Sequence, residues 1–326
     1  MSPIGLPWRF AAADASRDNR DPAPRHWPPM QFAYSILDVF TEQPYAGNPL
    51  AVVLNADELG DAQMQTIARE FNLSETVFLR SPRADNGLVH ARIFTPAKEL
   101  PFAGHPTVGA ACLLSMIGSA PPGEDVTFVI EEGVGPVPVR VRSAPDRAVY
   151  AELTAAQLPE FGEPPPDDEI AAILGLDPAD LVSENERVRA VSCGVPFVLV
   201  PVRTPELLAG VDLDLVAWRR SLAGRWAEEL YVYTRGYEGE LRARMFAPAM
   251  GIAEDPATGA AAAALAGALA SDSPVVEGRL HWVIHQGIEM GRPSQLHISA
   301  ERAGSAVTAV RVGGFAVRVA EGTLTV

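Results

Sequence analysis

Three segments of this chain recur in the same order at nearly fixed spacing, and that repetition restricts the fold more than any other feature. Arg92-Ile93-Phe94-Thr95-Pro96-Ala97 is echoed 152 residues later by Arg244-Met245-Phe246-Ala247-Pro248-Ala249. His105-Pro106-Thr107-Val108-Gly109-Ala110-Ala111 matches Asp255-Pro256-Ala257-Thr258-Gly259-Ala260-Ala261 at an offset of 150, and Gly47–Val53 matches Gly194–Val200 more weakly at 147. None of this is low-complexity text, so the chain reads as two copies of one folding unit. At 326 residues it also exceeds one comfortable hydrophobic core. The halves fall at residues 31–153 and 159–312, with the Pro- and acid-rich Leu158–Glu169 between them as a linker.

Each half carries the same kinds of element. In the first, short β patterns at Ser35–Phe40 and Leu50–Leu54 precede a helix over Asp61–Phe71, where Met64, Ile67, Ala68 and Phe71 share a face. Strands at Thr76–Leu79 and Val89–Phe94 and a helix from about Pro106 to Met116 follow. In the second, Asp168–Leu174 and Pro256–Ala270 take the helical roles, with strands at Phe197–Val202, Glu229–Tyr233 and Arg242–Phe246. Val307–Val312 and Ala316–Val319 close the chain. The pattern predicts an α+β fold of two pseudo-symmetric domains, each a mixed sheet wrapped around a central helix.

Composition excludes several functions. The formal charge is −15 and Lys98 is the single lysine, so phosphate backbones would be repelled and no nucleic-acid partner is expected. The longest apolar runs, Val108–Ala120 and Gly259–Ala270, are too short to span a bilayer, so no membrane partner is expected either. Cys112 and Cys193 form no disulfide framework and read as reduced core residues of a cytoplasmic protein. His281, His285 and His297 lack the glutamate of a zinc motif, and no GxGxxG or GxxxxGK[ST] is present, so neither metal nor cofactor is expected. Residues 1–30 read as an N-terminal extension without the apolar stretch of a signal peptide, and no function is assigned to them.

The candidate chemistry lies where each repeat enters its last helix. Pro106 and Pro256 suit the first helical position, which places His105 and Asp255 at or near the N-caps. Free first-turn amides and the helix dipole make such a start an anion site. One His-Pro or Asp-Pro is an ordinary cap. Two at matched repeat positions put two helix starts across one interdomain cleft, so an acidic substrate can be held despite the negative chain. Glu75, in Asn72-Leu73-Ser74-Glu75-Thr76-Val77-Phe78, is a third candidate, although taken alone it reads as a solvated loop carboxylate.

Further motifs raise its standing. Asp38-Val39-Phe40 with Gly47-Asn48-Pro49-Leu50-Ala51-Val52, then Ser74-Glu75-Thr76, Glu99 through Thr107, Glu254 through Gly259, and Gln286-Gly287 with Met290 through Ser294 resemble, in order, the PhzF-like phenazine-biosynthesis family. The resemblance implies the diaminopimelate epimerase-like fold, an active site between two domains, a homodimer, and residues 313–326 returning as a closing strand to the first domain. It implies Glu75 as the acid/base, with His105 and Asp255 as its catalytic partners. Ser74, Gly104, Thr258, Gly259 and Ala260 become the substrate-binding positions. The phenazine isomerase has Ser where this chain has Ala260, so one hydroxyl donor is missing. Racemases of the same fold flank the stereocentre with two thiols, but here the corresponding places hold Gly104-His105 and Glu254-Asp255.

These observations predict an isomerase that moves a proton on a small unsaturated or carbonyl-activated acidic metabolite. A catalytically silent small-acid-binding homologue and a carboxylate-based epimerase remain as alternatives.

Overall fold

The computed structural model describes residues 30–84, 87–121, 123–143, 148–181, 186–236 and 240–326; the extension up to residue 29 lies outside the described residues. The first half runs β1 (Gln31–Val39), β2 (Asn48–Val53), α1 (Asp61–Phe71), β3 (Glu75–Arg80), β4 (Val89–Phe94), β5 (Glu99–Leu100), α2 (Gly104–Leu114), β6 (Asp125–Glu132), β7 (Gly135–Arg142) and β8 (Val149–Thr154). The second runs β9 (Glu160–Gly162), α3 (Asp167–Leu174), β10 (Arg189–Ser192), β11 (Pro196–Pro201), α4 (Pro205–Ala209), α5 (Leu215–Ser221), β12 (Glu229–Arg235), β13 (Leu241–Ala247), β14 (Ile252–Asp255), α6 (Gly259–Asp272), β15 (Glu277–Gln286), β16 (Ser294–Ala303) and β17 (Ala306–Thr325).

The strand ladders reproduce the repeat. β2 pairs with β3 in parallel and β11 with β12, while β4 pairs in parallel with β6 and β13 with β15. A parallel pair needs a crossover. In the first half α1 and α2 supply the two crossovers; in the second, α4 with α5 and then α6 do so. The counterpart of α1 is therefore the α4–α5 pair, and not Asp168–Leu174, which as α3 precedes β10. Leu158–Glu169 is not a bare linker: it contains β9, which pairs with β10, and the start of α3.

β17 ties the halves together. Its first part pairs with β16, its middle with β8, and its last part with β1 from Val39↔Ala316 to Gln31↔Thr325. It is one continuous strand, where the sequence suggested two separated by Gly313-Gly314. Both glycines are needed because the strand is crowded there. A Cβ on Gly313 would lie 2.6 Å from the Ala151 carbonyl oxygen, and one on Gly314 would lie 2.5 Å from the Phe40 ring.

The strands of each half wrap a helix of small residues within one continuous sheet. Every residue of α2 is buried, and α6 is buried along most of its alanine-rich length. Among the described residues no helix is long and apolar enough to cross a membrane. The echoed arginines have matching jobs. Arg92 forks onto Glu99 (2.7 and 2.7 Å) and lies over Phe94, and Arg244 forks onto Glu254 (2.8 and 2.9 Å) and lies over Phe246. A bidentate guanidinium–carboxylate pair fixes orientation as well as distance, so each pins the hairpin that leads into its helix.

Candidate active site

The starts of α2 and α6 meet end to end. A Cβ on Gly104 would lie 3.6 Å from Gly259 Cα and 3.7 Å from the Ala260 nitrogen. One on Gly259 would lie 3.7 Å from both Gly104 Cα and the His105 nitrogen. This reciprocity makes Gly104 equivalent to Gly259, an offset of 155, and makes Ala260 the counterpart of His105. The sequence alignment that matched His105 with Asp255 is thus out of register by five residues. The true offset rises by three between the echoed arginines and the helix starts, and β14, four residues long where β5 has two, supplies two of them; the remaining slip comes from the alanine-rich text, which aligns in several registers.

The expected caps change accordingly. Ala103 is the N-cap of α2, with His105 second in the helix and Pro106 third. Thr258 is the N-cap of α6, and Asp255 ends β14. Residues 255–257 stay extended because side chains claim their carbonyls: Gln286 Nε2 donates to the Asp255 oxygen (2.7 Å) and Asn48 Nδ2 to the Ala257 oxygen (3.0 Å). Neither cap side chain bonds its own helix, so the first-turn amides remain for a ligand.

Glu75 opens β3, and its Oε2 lies 3.3 Å from His105 Nδ1, with side-chain exposures of 14% and 6%. The two do not form an ion pair. Burial, followed by the charge of Asp255, pushes Glu75 up to about 8, while burial alone pushes His105 down to about 3. At neutral pH both are mainly uncharged. Glu75 Oε2 and His105 Nε2 are buried without hydrogen-bond partners. Such orphaned atoms are rare in native interiors and cluster where a ligand completes the network.

Asp255 is held differently. Asn48 Nδ2 donates to its Oδ1 (2.9 Å) and Thr258 Oγ1 to its Oδ2 (2.5 Å). Burial pushes it up to about 6 against the opposing pull of Thr258, Asn48 and Ser74, so it is mostly ionised at neutral pH. Thr258 Oγ1 in turn accepts from Gln286 Nε2 (3.1 Å), and Gln286 Oε1 accepts from Tyr231 Oη (3.0 Å) and from the Thr258 amide (3.3 Å). Each hydroxyl in this relay donates once, and Asn48 Oδ1 beside it stays buried without a partner.

The structure therefore gathers Glu75, His105, Asp255, Ser74 and Thr258 with the paired starts at Gly104, Gly259 and Ala260. A cavity of about 170 Å³ opens beside those starts, walled by Phe102 and Gly104 from one half and by Gly194, Val195, Gly259 and Ala260 from the other. Glu75, His105 and Asp255 do not line it. A larger cleft of about 470 Å³, between Arg142, Tyr150, Arg279 and His297, shares none of these residues. Asn48, Tyr231 and Gln286 hold the acid in place. Asn48 and Gln286 stand within the motifs that carry the resemblance, but nothing in the sequence assigns them this role, and nothing there marks Tyr231. Both thiols are buried: Cys112 Sγ meets the Val149 oxygen at 3.3 Å, and burial pushes Cys193 up to about 12.

The phenazine biosynthesis-like protein family (PhzC-PhzF) matches residues 37–322. An uncharacterized isomerase of Mesorhizobium japonicum is 45% identical over 300 residues, covering 89% of this chain and 98% of its own. Trans-2,3-dihydro-3-hydroxyanthranilate isomerase of Pseudomonas aeruginosa is 35% identical over 289 residues, with coverages of 89% and 98%. The crystal structure of a Bacillus anthracis phenazine biosynthesis protein of the PhzF family superposes with a TM-score of 0.82 at 23% identity, over 91% of this chain and 100% of that one. A family match across nearly the whole described fold, with relatives named as isomerases, settles the assignment: the chain belongs to the PhzF-like phenazine biosynthesis family and is an isomerase of that family.

Proposed function

We propose that the protein moves a proton between two carbons of a small unsaturated or carbonyl-activated carboxylic acid, with Glu75 as the acid/base. The observation that carries this reading is the buried, partnerless Glu75 oxygen whose carboxyl is pushed up to about 8 beside a neutral His105. A group that titrates near working pH can both take and return a proton.

In the reaction, ionised Glu75 removes a proton from one carbon and that C–H bond's electron pair moves into the conjugated system. A C–H bond then forms at a second carbon with the same proton, which regenerates the carboxylate of Glu75. The free first-turn amides at Gly104 and Gly259 hold the substrate carboxylate and stabilise the developing negative charge. His105, neutral, orients the reacting face. Asp255 opposes a second negative charge nearby and so keeps Glu75 ready to carry the proton. Ala260 replaces a hydroxyl with a methyl at the substrate wall, which alters substrate preference. The two unpaired thiols support a cytoplasmic setting, and the family resemblance supports a homodimer.

Incubation in heavy water with trans-2,3-dihydro-3-hydroxyanthranilate and a panel of small unsaturated acids tests this directly. Wild type should incorporate deuterium into at least one acid, and Glu75→Gln should do so at least about a hundredfold more slowly. Equal rates in the two proteins would remove Glu75 from the mechanism.

A further inference from the structure

The pseudo-twofold relation gives Glu75 a buried counterpart. Leu50 stands beside Glu75 in the β2–β3 ladder, and Phe197 stands beside Glu229 in the β11–β12 ladder. The neighbouring ladders end at Thr76↔Phe94 and Leu230↔Phe246. Extending each by one residue sets Glu75 opposite Thr95 and Glu229 opposite Ala247. The same ladder position thus stands at the mouth of the same turn twice: Thr95 through Lys98 in one half, Ala247 through Met250 in the other.

The two turns use their amides differently. Thr95 Oγ1 accepts from the amides of Ala97 (3.2 Å) and Lys98 (3.0 Å) and donates to the Lys98 oxygen (3.0 Å). Ala247 has no hydroxyl. There the amides of Ala249 and Met250 reach Glu229 and oppose the effect of its burial, although its Oε2 keeps no partner of its own. Glu75 is shifted by burial and by Asp255 alone, with no turn amide drawing on it, and its near neighbour is His105.

We propose that Thr95 is a positioning residue: its hydroxyl takes the two turn amides that the matching glutamate draws on in the second half, and so leaves Glu75 free to turn to His105 and shuttle a proton. The inference rests on Glu75 being the acid/base. A carboxylate that accepts backbone amides is stabilised in its charged form and becomes a weaker base. Without the Thr95 hydroxyl, Glu75 would be drawn to the amides of Ala97 and Lys98 as Glu229 is to those of Ala249 and Met250.

Carboxyl ¹³C NMR of protein labelled at glutamate Cδ reads this without any substrate, with Glu75→Gln assigning the resonance. The titratable groups facing Glu75 are His105 from α2 and Asp255 from the end of β14, and both are retained in every Thr95 variant. Wild-type Glu75 should titrate at about 8. In Thr95→Val the midpoint should fall clearly below that of wild type, because turn amides on the carboxylate stabilise its charged form, and Thr95→Ser should restore it. Thr95→Ala carries the same expectation should the valine not fold. A folded Thr95→Val or Thr95→Ala whose Glu75 still titrates as in wild type overturns the proposal. Because the titration needs no turnover, a failure of the proton-transfer reading, seen as an active Glu75→Gln, is distinguishable from a failure here.

Discussion

Glu75 keeps its proton because water is excluded from it, and that carries a cost in stability. Between the ordinary 4.5 and about 8, the unfolded chain has released this proton while the folded chain still holds it. Folding stability attributable to the group therefore falls as pH rises through that window, by about 1.4 kcal/mol per pH unit. Glu75→Gln has no proton to lose. Its stability relative to wild type should increase steadily from pH 4.5 upward and level off above about 8, as read from urea midpoints at pH 5 and 8.5. A relative stability that falls with pH instead would mean that the native fold stabilises the carboxylate. The opposite trend belongs to His105: pushed down to about 3 from 6.5, it favours folding above 6.5 and loses that contribution as pH drops towards 3. None of this is legible around residue 75 itself. The local text shows a carboxylate between a helix and a strand, and the groups that set its chemistry come from α2 and from β14 in the other half.

Elements explain which parts of the repeat the sequence exposes. The RxFxPA echo survives because a forked arginine on a hairpin glutamate, with its ring beneath, tolerates few substitutes, and both halves use it. The helix starts were misaligned because alanine- and glycine-rich helices offer many near-equal registers, whereas β14 adds its extra length just before them. Glu229 stays hidden as the partner of Glu75, since α1 in one half and α4 with α5 in the other leave different spacings before it. Helix register has a direct test in Gly109, which the corrected offset pairs with Ala264. A Cβ there would sit 2.5 Å from Leu50 Cδ2 and 2.8 Å from Val39 Cγ2, so α2 lies against β1 and β2 closer than alanine permits. Gly109→Ala gains about 1 kcal/mol of helix propensity but overpacks a full core by about 1–3 kcal/mol. A net loss of stability is expected in chemical denaturation. A stabilised variant would show that α2 has room to move off the sheet.

Across the whole molecule, the burial that tunes Glu75 depends on how firmly the halves close. Several side chains cross between them: Ser74 bonds Asp255 at the site, and others join the halves there and at the larger cleft. Asn48 reaches Asp255, Arg279 reaches Glu152 at 2.8 Å, and Arg292 clamps the β1–β2 connection by donating to Asp38 Oδ1 (2.5 Å) and to the oxygens of Ala46 (2.6 Å) and Gly47 (2.7 Å). The Gly47 amide returns a bond to the Pro293 oxygen at 3.1 Å. Asp38 is almost fully buried while Arg292 is about a quarter exposed, so Arg292→Ala leaves a buried carboxylate with the Tyr45 amide as its remaining partner among the described residues. Breaking a fully buried pair costs about 3–5 kcal/mol, and partial exposure of the arginine lowers that to about 2–3 kcal/mol. Stability loss alone would not separate a clamp from an ordinary ion pair, but the titration of Glu75 does. If Arg292 holds the halves shut, its removal admits water to the site, and the burial that dominates the shift of Glu75 weakens. The carboxyl should then titrate below about 8, moving towards 4.5, and His105, held down by burial alone, should rise from about 3 towards 6.5. In heavy water the same variant should incorporate deuterium more slowly, because an opened site loses the fixed helix amides at Gly104 and Gly259 as well as a well-tuned base. An Arg292→Ala protein that is less stable yet keeps the wild-type midpoint of Glu75 would place the whole of that burial within the first half, and interdomain closure would drop out of the mechanism.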